Sequence, residues 1–165
     1  MKVADLFAGV GGLSLGFEQA GFDVSFAVEF DKSIADAYEK NHTGTTMYNA
    51  DISTLDPNEL LKKHGRVDVI VGGPPCQAYS IHGRATDKDS MKNDYRNYLF
   101  ESFCKVVGEF RPNVFVFENV GGLLSANPGG IPVRKRIYDA FTQIVYQILT
   151  PEKMPSALYD AVNFN

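Results

Sequence analysis

Val3-Ala4-Asp5-Leu6-Phe7-Ala8-Gly9-Val10-Gly11-Gly12-Leu13 opens the chain with an apolar run that breaks into three glycines. Such a run reads as a buried strand turning sharply into a helix, because glycine reaches the left-handed backbone that a tight turn needs. The helix follows over residues 13–20, and Gly21 stands where a C-terminal cap is expected. Outward from there, strand and helix alternate. Residues 23–30 form a second strand, Asp31 caps a helix running through Lys40, and residues 45–48 make a weak third strand. A helix with proline in its first turn covers 57–64, and Val67-Asp68-Val69-Ile70-Val71 is a β-branched fourth strand. Residues 81–94 are polar and aperiodic, a loop. Tyr95, Leu99, Phe103, Val106 and Phe110 recur at helical spacing, residues 113–117 make a fifth strand, and Ile137, Phe141, Ile144 and Ile148 mark a last amphipathic helix. Repeated β-α units with apolar strands predict an α/β fold, a doubly wound, mostly parallel sheet with helices on both faces.

The chain has 165 residues, enough for a single domain that buries its own core. Sixteen basic and 20 acidic side chains leave a formal charge of −4, which argues against strong DNA binding by this chain alone, though not against a local basic patch. Cys76 and Cys104 lack the spacing of a disulfide framework or a zinc site, so no metal is expected. No apolar run approaches the roughly 20 residues of a membrane helix, and the N-terminus lacks a secretory signal. A cytoplasmic protein is the expectation.

Ligands of doubly wound sheets bind beyond the carboxyl ends of the strands, so the residues that follow each strand carry the functional reading. The glycine loop after the first strand serves either as a tight turn or as a backbone approach to a ligand at a helix N-terminus. Ser14 stands where the dinucleotide fingerprint needs its third glycine. Glu29, 20 residues beyond Gly9, can accept hydrogen bonds from ribose hydroxyls, or it is a solvated carboxylate. Asp51 can accept from an adenine amino group while Ile52 packs on the ring, or it caps a helix. Together the three describe a nucleoside pocket. After the fourth strand, Gly73-Pro74-Pro75-Cys76-Gln77 places a cysteine on a stiff loop at the ligand edge, a candidate nucleophile. Cys104, with Phe100 and Val107 on the apolar side of a helix, reads as inert packing. Glu118 ends an all-apolar strand, where desolvation would raise its pKa and let it donate a proton.

Asp-Leu-Phe-Ala-Gly-Val-Gly-Gly-Leu (5–13), Gly-Gly-Pro-Pro-Cys-Gln-Ala-Tyr-Ser (72–80) and Glu-Asn-Val (118–120), in that order, resemble the cytosine-5 DNA methyltransferases over essentially the whole chain. The resemblance implies S-adenosylmethionine in the nucleoside pocket. Phe7 would stack on adenine, Gly9, Gly11, Gly12 and Leu13 would line the methionine end, Glu29 would hold the ribose, and Asp51 with Ile52 the adenine. Pro75 and Leu99 would close the wall. The catalytic residues it implies are Cys76, adding to cytosine C6, and Glu118, bonded to N3 and the exocyclic amine. The base must first be flipped from the duplex, and the loop over 81–94 is placed to close over it. Tyr79 replaces the family's usual phenylalanine. Residues 157–164 resemble the approach to the family's Gln-x-Arg-x-Arg motif, and the chain stops at Asn165. The expectation is a C-terminally incomplete enzyme of restriction-modification type, inactive alone. Its partners would be double-stranded DNA through an absent recognition domain, a C-terminal half or companion subunit, or further copies of itself. A tRNA cytosine methyltransferase of the same architecture and a non-catalytic cofactor-binding fragment are the alternatives. A nicotinamide oxidoreductase ranks last, because it leaves Pro-Pro-Cys-Gln and Glu-Asn-Val unexplained.

Overall fold

The computed structural model describes residues 1–75, 99–118 and 132–144. Its described elements are β1 (Lys2–Leu6), α1 (Gly12–Gln19), β2 (Asp23–Glu29), α2 (Lys32–Asn41), β3 (Thr46–Asn49), a 3-10 turn (Ile52–Thr54), α3 (Pro57–His64), β4 (Val69–Gly72), α4 (Leu99–Phe110), β5 (Val114–Phe117) and α5 (Val133–Gln143). Among the described residues the strands form one sheet in the order β3-β2-β1-β4-β5, and every pair is parallel. The order reverses between β1 and β4, which makes their carboxyl ends the switch point where a crevice opens. The doubly wound parallel sheet expected from the strand pattern is therefore present. The loop expected over 81–94 lies outside the described residues.

Local chemistry sets the element ends. α1 stops because Gly21, at φ 83, lets its own N–H donate to the Glu18 carbonyl and that of Phe22 to the Phe17 carbonyl. That paired-bond cap brings the Phe17 and Phe22 rings edge to face at 5.2 Å. Asp31 caps α2 as expected, its carboxylate accepting from the amides of Ser33 and Ile34. The third strand sits one residue later than its sequence pattern suggested, because its pairing follows β2, with Phe26 opposite Thr46 and Glu29 opposite Asn49.

Both faces of the sheet are buried. Ala4, Leu6, Phe26, Val28 and Ile70 face α3, α4 and α5, while Val3, Val24, Val69, Val71 and Val116 face the α1 side with Phe17. Phe141 of α5 stacks on Phe115 at 4.2 Å and meets Phe117 edge on at 5.7 Å, tying the last helix to β5. In β1 the register shifts between Val3 and Ala4, so Ser25 of β2 has no opposite residue. Its hydroxyl lies 3.3 Å from His64 Nδ1 at the end of α3.

Candidate active site

Backbone bonds carry the sheet's order one or two residues past β1, β3 and β5. Ala8 N–H donates to the Val28 carbonyl, Ala50 N–H to that of Glu29, and Glu118 N–H to that of Gly72. The loops beyond the carboxyl ends therefore leave from fixed points, and between them lies a cavity of about 420 Å³. Six of the expected site residues, Phe7, Glu29, Asp51, Ile52, Pro75 and Leu99, line it together. Val28, Phe30, Ala50 and Gly73 line it too, although the sequence assigned none of them to the pocket. The signal for them was the position immediately beside each strand-end residue.

Phe7 sits at φ 62, a left-handed conformation that a bulky side chain adopts only at a cost of about 1–2 kcal/mol. The same conformation leaves the Phe7 ring on the cavity wall. Glu29 is locked by two backbone donors. Gly9 N–H donates to its Oε2 at 2.9 Å and Asp31 N–H to its Oε1 at 2.8 Å. Each carboxylate oxygen keeps lone-pair capacity for a further donor. Asp51 caps the 3-10 turn, as one of its two readings expected, and also lines the cavity. Its Oδ1 accepts from Ser53 N–H at 2.9 Å and from the Ser53 hydroxyl at 2.7 Å, capping the 3-10 turn. Among the described residues its Oδ2 has no bond.

Gly9 reaches the cavity's edge only through its bond to Glu29; Gly11, Gly12 and Leu13 are not among the lining residues. Leu13 packs instead with Phe17 and the valines on the α1 face, and Gly11 packs against α2. Asp5, directly before the turn, is 1% exposed and accepts from the Ser14 hydroxyl at 2.7 Å. Burial pushes its carboxyl up to about 7, the Ser14 hydrogen bonds pull it back, and the neighbouring Glu29 charge adds to the rise.

Two glycines end β4. A Cβ on Gly72 would overlap the Leu6 carbonyl, and one on Gly73 would lie 2.5 Å from Glu118 Oε2. Glu118 is thus packed against the start of the loop that continues into Cys76. The desolvated carboxyl expected from the sequence is not found, because Glu118 is exposed. Its backbone leaves the sheet at the edge, and its side chain lies against a residue without one. Cys76 lies outside the described residues. Cys104 matches its expected inert role: burial pushes its thiol up to about 12, with Glu101 adding to the rise. Among the described residues no cluster of histidine, cysteine and carboxylates could hold a metal ion. No described helix is long and apolar enough to cross a membrane.

A parallel sheet with a strand-end cavity flanked by two carboxylates has the layout of a ligand-binding doubly wound α/β domain. The family model for C-5 cytosine-specific DNA methylase matches residues 1–164, and the chain belongs to that family. Among curated proteins it is similar to the type II methyltransferase M1.HphI of Haemophilus parahaemolyticus, 38% identical over 146 residues, which are 87% of this chain and 38% of that protein. It is similar also to M.DdeI of Desulfomicrobium norvegicum, 39% identical over 149 residues, covering 90% of this chain and 35% of that one. Among solved structures, a DNA modification methyltransferase encoded within an Escherichia coli prophage superposes with a TM-score of 0.71 at 34% identity. That match covers 87% of this chain and 38% of the other. Spodoptera frugiperda DNMT2 superposes with a TM-score of 0.63 at 26% identity, over 87% of this chain and 41% of its own. The chain spans less than half the length of these relatives.

Proposed function

We propose that the chain is the S-adenosylmethionine-binding and catalytic portion of a DNA cytosine-5 methyltransferase of a restriction-modification system. The observation that carries this reading is the convergence of Phe7, Glu29, Asp51, Ile52, Pro75 and Leu99 on one cavity, with Glu118 against the adjoining loop. The donor set fits the cofactor. Two carboxylates suit ribose hydroxyls and an adenine amine, Phe7 and Ile52 offer apolar faces to a purine, and an acidic lining favours a sulfonium cation. None of the described lining residues is basic, so no side chain there offers to neutralise the pyrophosphate of a dinucleotide. When bound, the cofactor supplies an electrophilic methyl group.

The chain's own residues supply the rest. The Cys76 thiolate adds to C6 of a flipped-out cytosine, which makes C5 nucleophilic enough to attack the methyl. Glu118 holds N3 and the exocyclic amine and neutralises charge that develops in the ring. Loss of the C5 proton and expulsion of Cys76 then restore the aromatic base. Double-stranded DNA is the substrate and the cytoplasm the site of action. The chain works with a C-terminal half or companion subunit, or associates with itself, and is inactive alone.

Calorimetry tests the pocket. S-adenosylmethionine is expected to bind the 165-residue chain with a Kd in the micromolar to millimolar range, roughly −8 to −4 kcal/mol, and NAD not to compete. A folded chain giving no heat at millimolar cofactor refutes the reading. Tritiated methyl transfer should be absent with the chain alone and appear on adding a family C-terminal half. Robust turnover by the chain alone would overturn that part of the proposal.

A further inference from the structure

On the face of the sheet opposite the cavity, α2 delivers two rings to the back of the glycine turn. Tyr38 is fully buried, and His42, the residue that caps α2, is 4% exposed. Their rings lie 4.3 Å apart. Gly11 stands directly on them at φ 95. A Cβ there would overlap the His42 ring at Nε2 and Cδ2 and come within 3.0 Å of Tyr38 Cδ2. The turn's backbone is therefore in contact with both side chains, and there is no slack between them.

Both rings are themselves held from α1, the helix that the turn begins. His42 Nδ1 lies 3.1 Å and 3.0 Å from the two Glu18 carboxylate oxygens. The Tyr38 hydroxyl shares a 2.6 Å hydrogen bond with the Ser14 hydroxyl, which donates in turn to Asp5. The contact is thus bonded on both sides of Gly11, from β1 and α1 across to α2. On the cavity side the same turn is tied by Gly9 N–H to Glu29. Three glycines in four residues would otherwise give this segment many conformations, and a ligand would have to order them on binding.

We propose that His42 and Tyr38 are positioning residues for the cofactor turn, backing Gly11 so that Glu29, held by the Gly9 amide, and the Phe7 ring stay presented to the cavity. The proposal rests on the nucleoside-pocket reading above. Neither residue lines the cavity.

The test uses His42→Ala, Gly11→Ala and the double variant, with His42→Phe to restore a ring without the Glu18 bond. Thermal melts establish that each folds cooperatively. Hydrogen exchange of amides 8–13, without any ligand, reads the brace directly, and calorimetry with S-adenosylmethionine reads its consequence. His42→Ala is expected to speed exchange in the turn while β1 and β2 keep their protection, and to weaken cofactor binding about tenfold, with His42→Phe recovering most of the loss. Gly11→Ala should weaken binding further. The double variant should bind more tightly than Gly11→Ala alone, because removing the ring removes the overlap. Unchanged exchange in His42→Ala, or a double variant no better than Gly11→Ala, overturns the proposal. A wild-type chain whose turn is braced by His42 but which binds no cofactor would instead support the brace and refute the nucleoside pocket.

Discussion

Asp5→Asn should remove a downward slope in stability between about pH 4 and pH 7. The carboxyl of Asp5 is 1% exposed, its Oδ2 takes the Ser14 hydroxyl at 2.7 Å, and its Oδ1 has no partner among the described residues. Burial is the largest influence and raises the carboxyl from 3.8 to about 7 against the pull of Ser14. An unfolded chain gives up this proton near 3.8, whereas the folded chain keeps it until about 7. Within that window the native state binds more protons than the unfolded one, so stability falls as pH rises. Below both values, and above both, this group contributes no slope. A gap of this width at about 1.36 kcal/mol per pH unit corresponds to a loss on the order of 4 kcal/mol. Asparagine keeps the shape and an acceptor for Ser14 but carries no charge, so only a pH-independent offset remains. Urea midpoints for wild type and Asp5→Asn, taken at intervals from about pH 4 to pH 8, isolate the effect, since other titrating groups cancel in the difference. The difference should grow with pH in favour of the variant by a few kcal/mol. A difference that stays constant across the range, with both proteins unfolding cooperatively, refutes the reasoning.

Glu29→Ala strips the acceptor from Gly9 N–H and Asp31 N–H and removes the proposed ribose ligand; cofactor affinity measured by calorimetry should fall about 30- to 100-fold, or 2–3 kcal/mol. Phe141→Ala empties the space between Phe115 and Phe117, and should lower stability by about 3–5 kcal/mol and the melting temperature by roughly 10 °C in a calorimetric scan. With a C-terminal half added, DNA containing 5-fluorocytosine should trap a covalent adduct on a denaturing gel, because the fluorine cannot leave as a proton does. Cys76→Ser should abolish that adduct and Cys104→Ser leave it; an adduct that survives Cys76→Ser would move the nucleophile elsewhere.

Local signals were sufficient where the chemistry is local. The apolar runs, the Gly21 stop of α1 and the Asp31 cap each depend on residues within a few positions, so side-chain identity alone specifies them. The cavity was legible for a related reason: parallel strands all present their carboxyl ends to one side, so the residue after each strand is brought to a common edge whatever the strand order. Glu29, Asp51 and Ile52 were found that way, Phe7 and Pro75 through the family resemblance, and all five line one cavity.

What the linear text could not supply depends on which distant residues meet. That β4 rather than another strand lies beside β1 follows from long-range pairing, with Leu6 opposite Gly72, and only that pairing explains why Gly72 has no room for a side chain. The exposure of Glu118 is decided by where β5 ends relative to Gly73, although its apolar strand suggested burial. Gly11, Gly12 and Leu13 belong to the turn by sequence, yet packing assigns Leu13 to the core and Gly11 to the His42 and Tyr38 rings, 31 and 27 residues away along the chain. The sequence by itself determined the strands, the caps and the strand-end residues of the pocket, because propensity and capping act between neighbours. Tertiary structure alone decided burial, register and which side chains pack behind the glycine turn, because those are set by contacts whose partners no local pattern names.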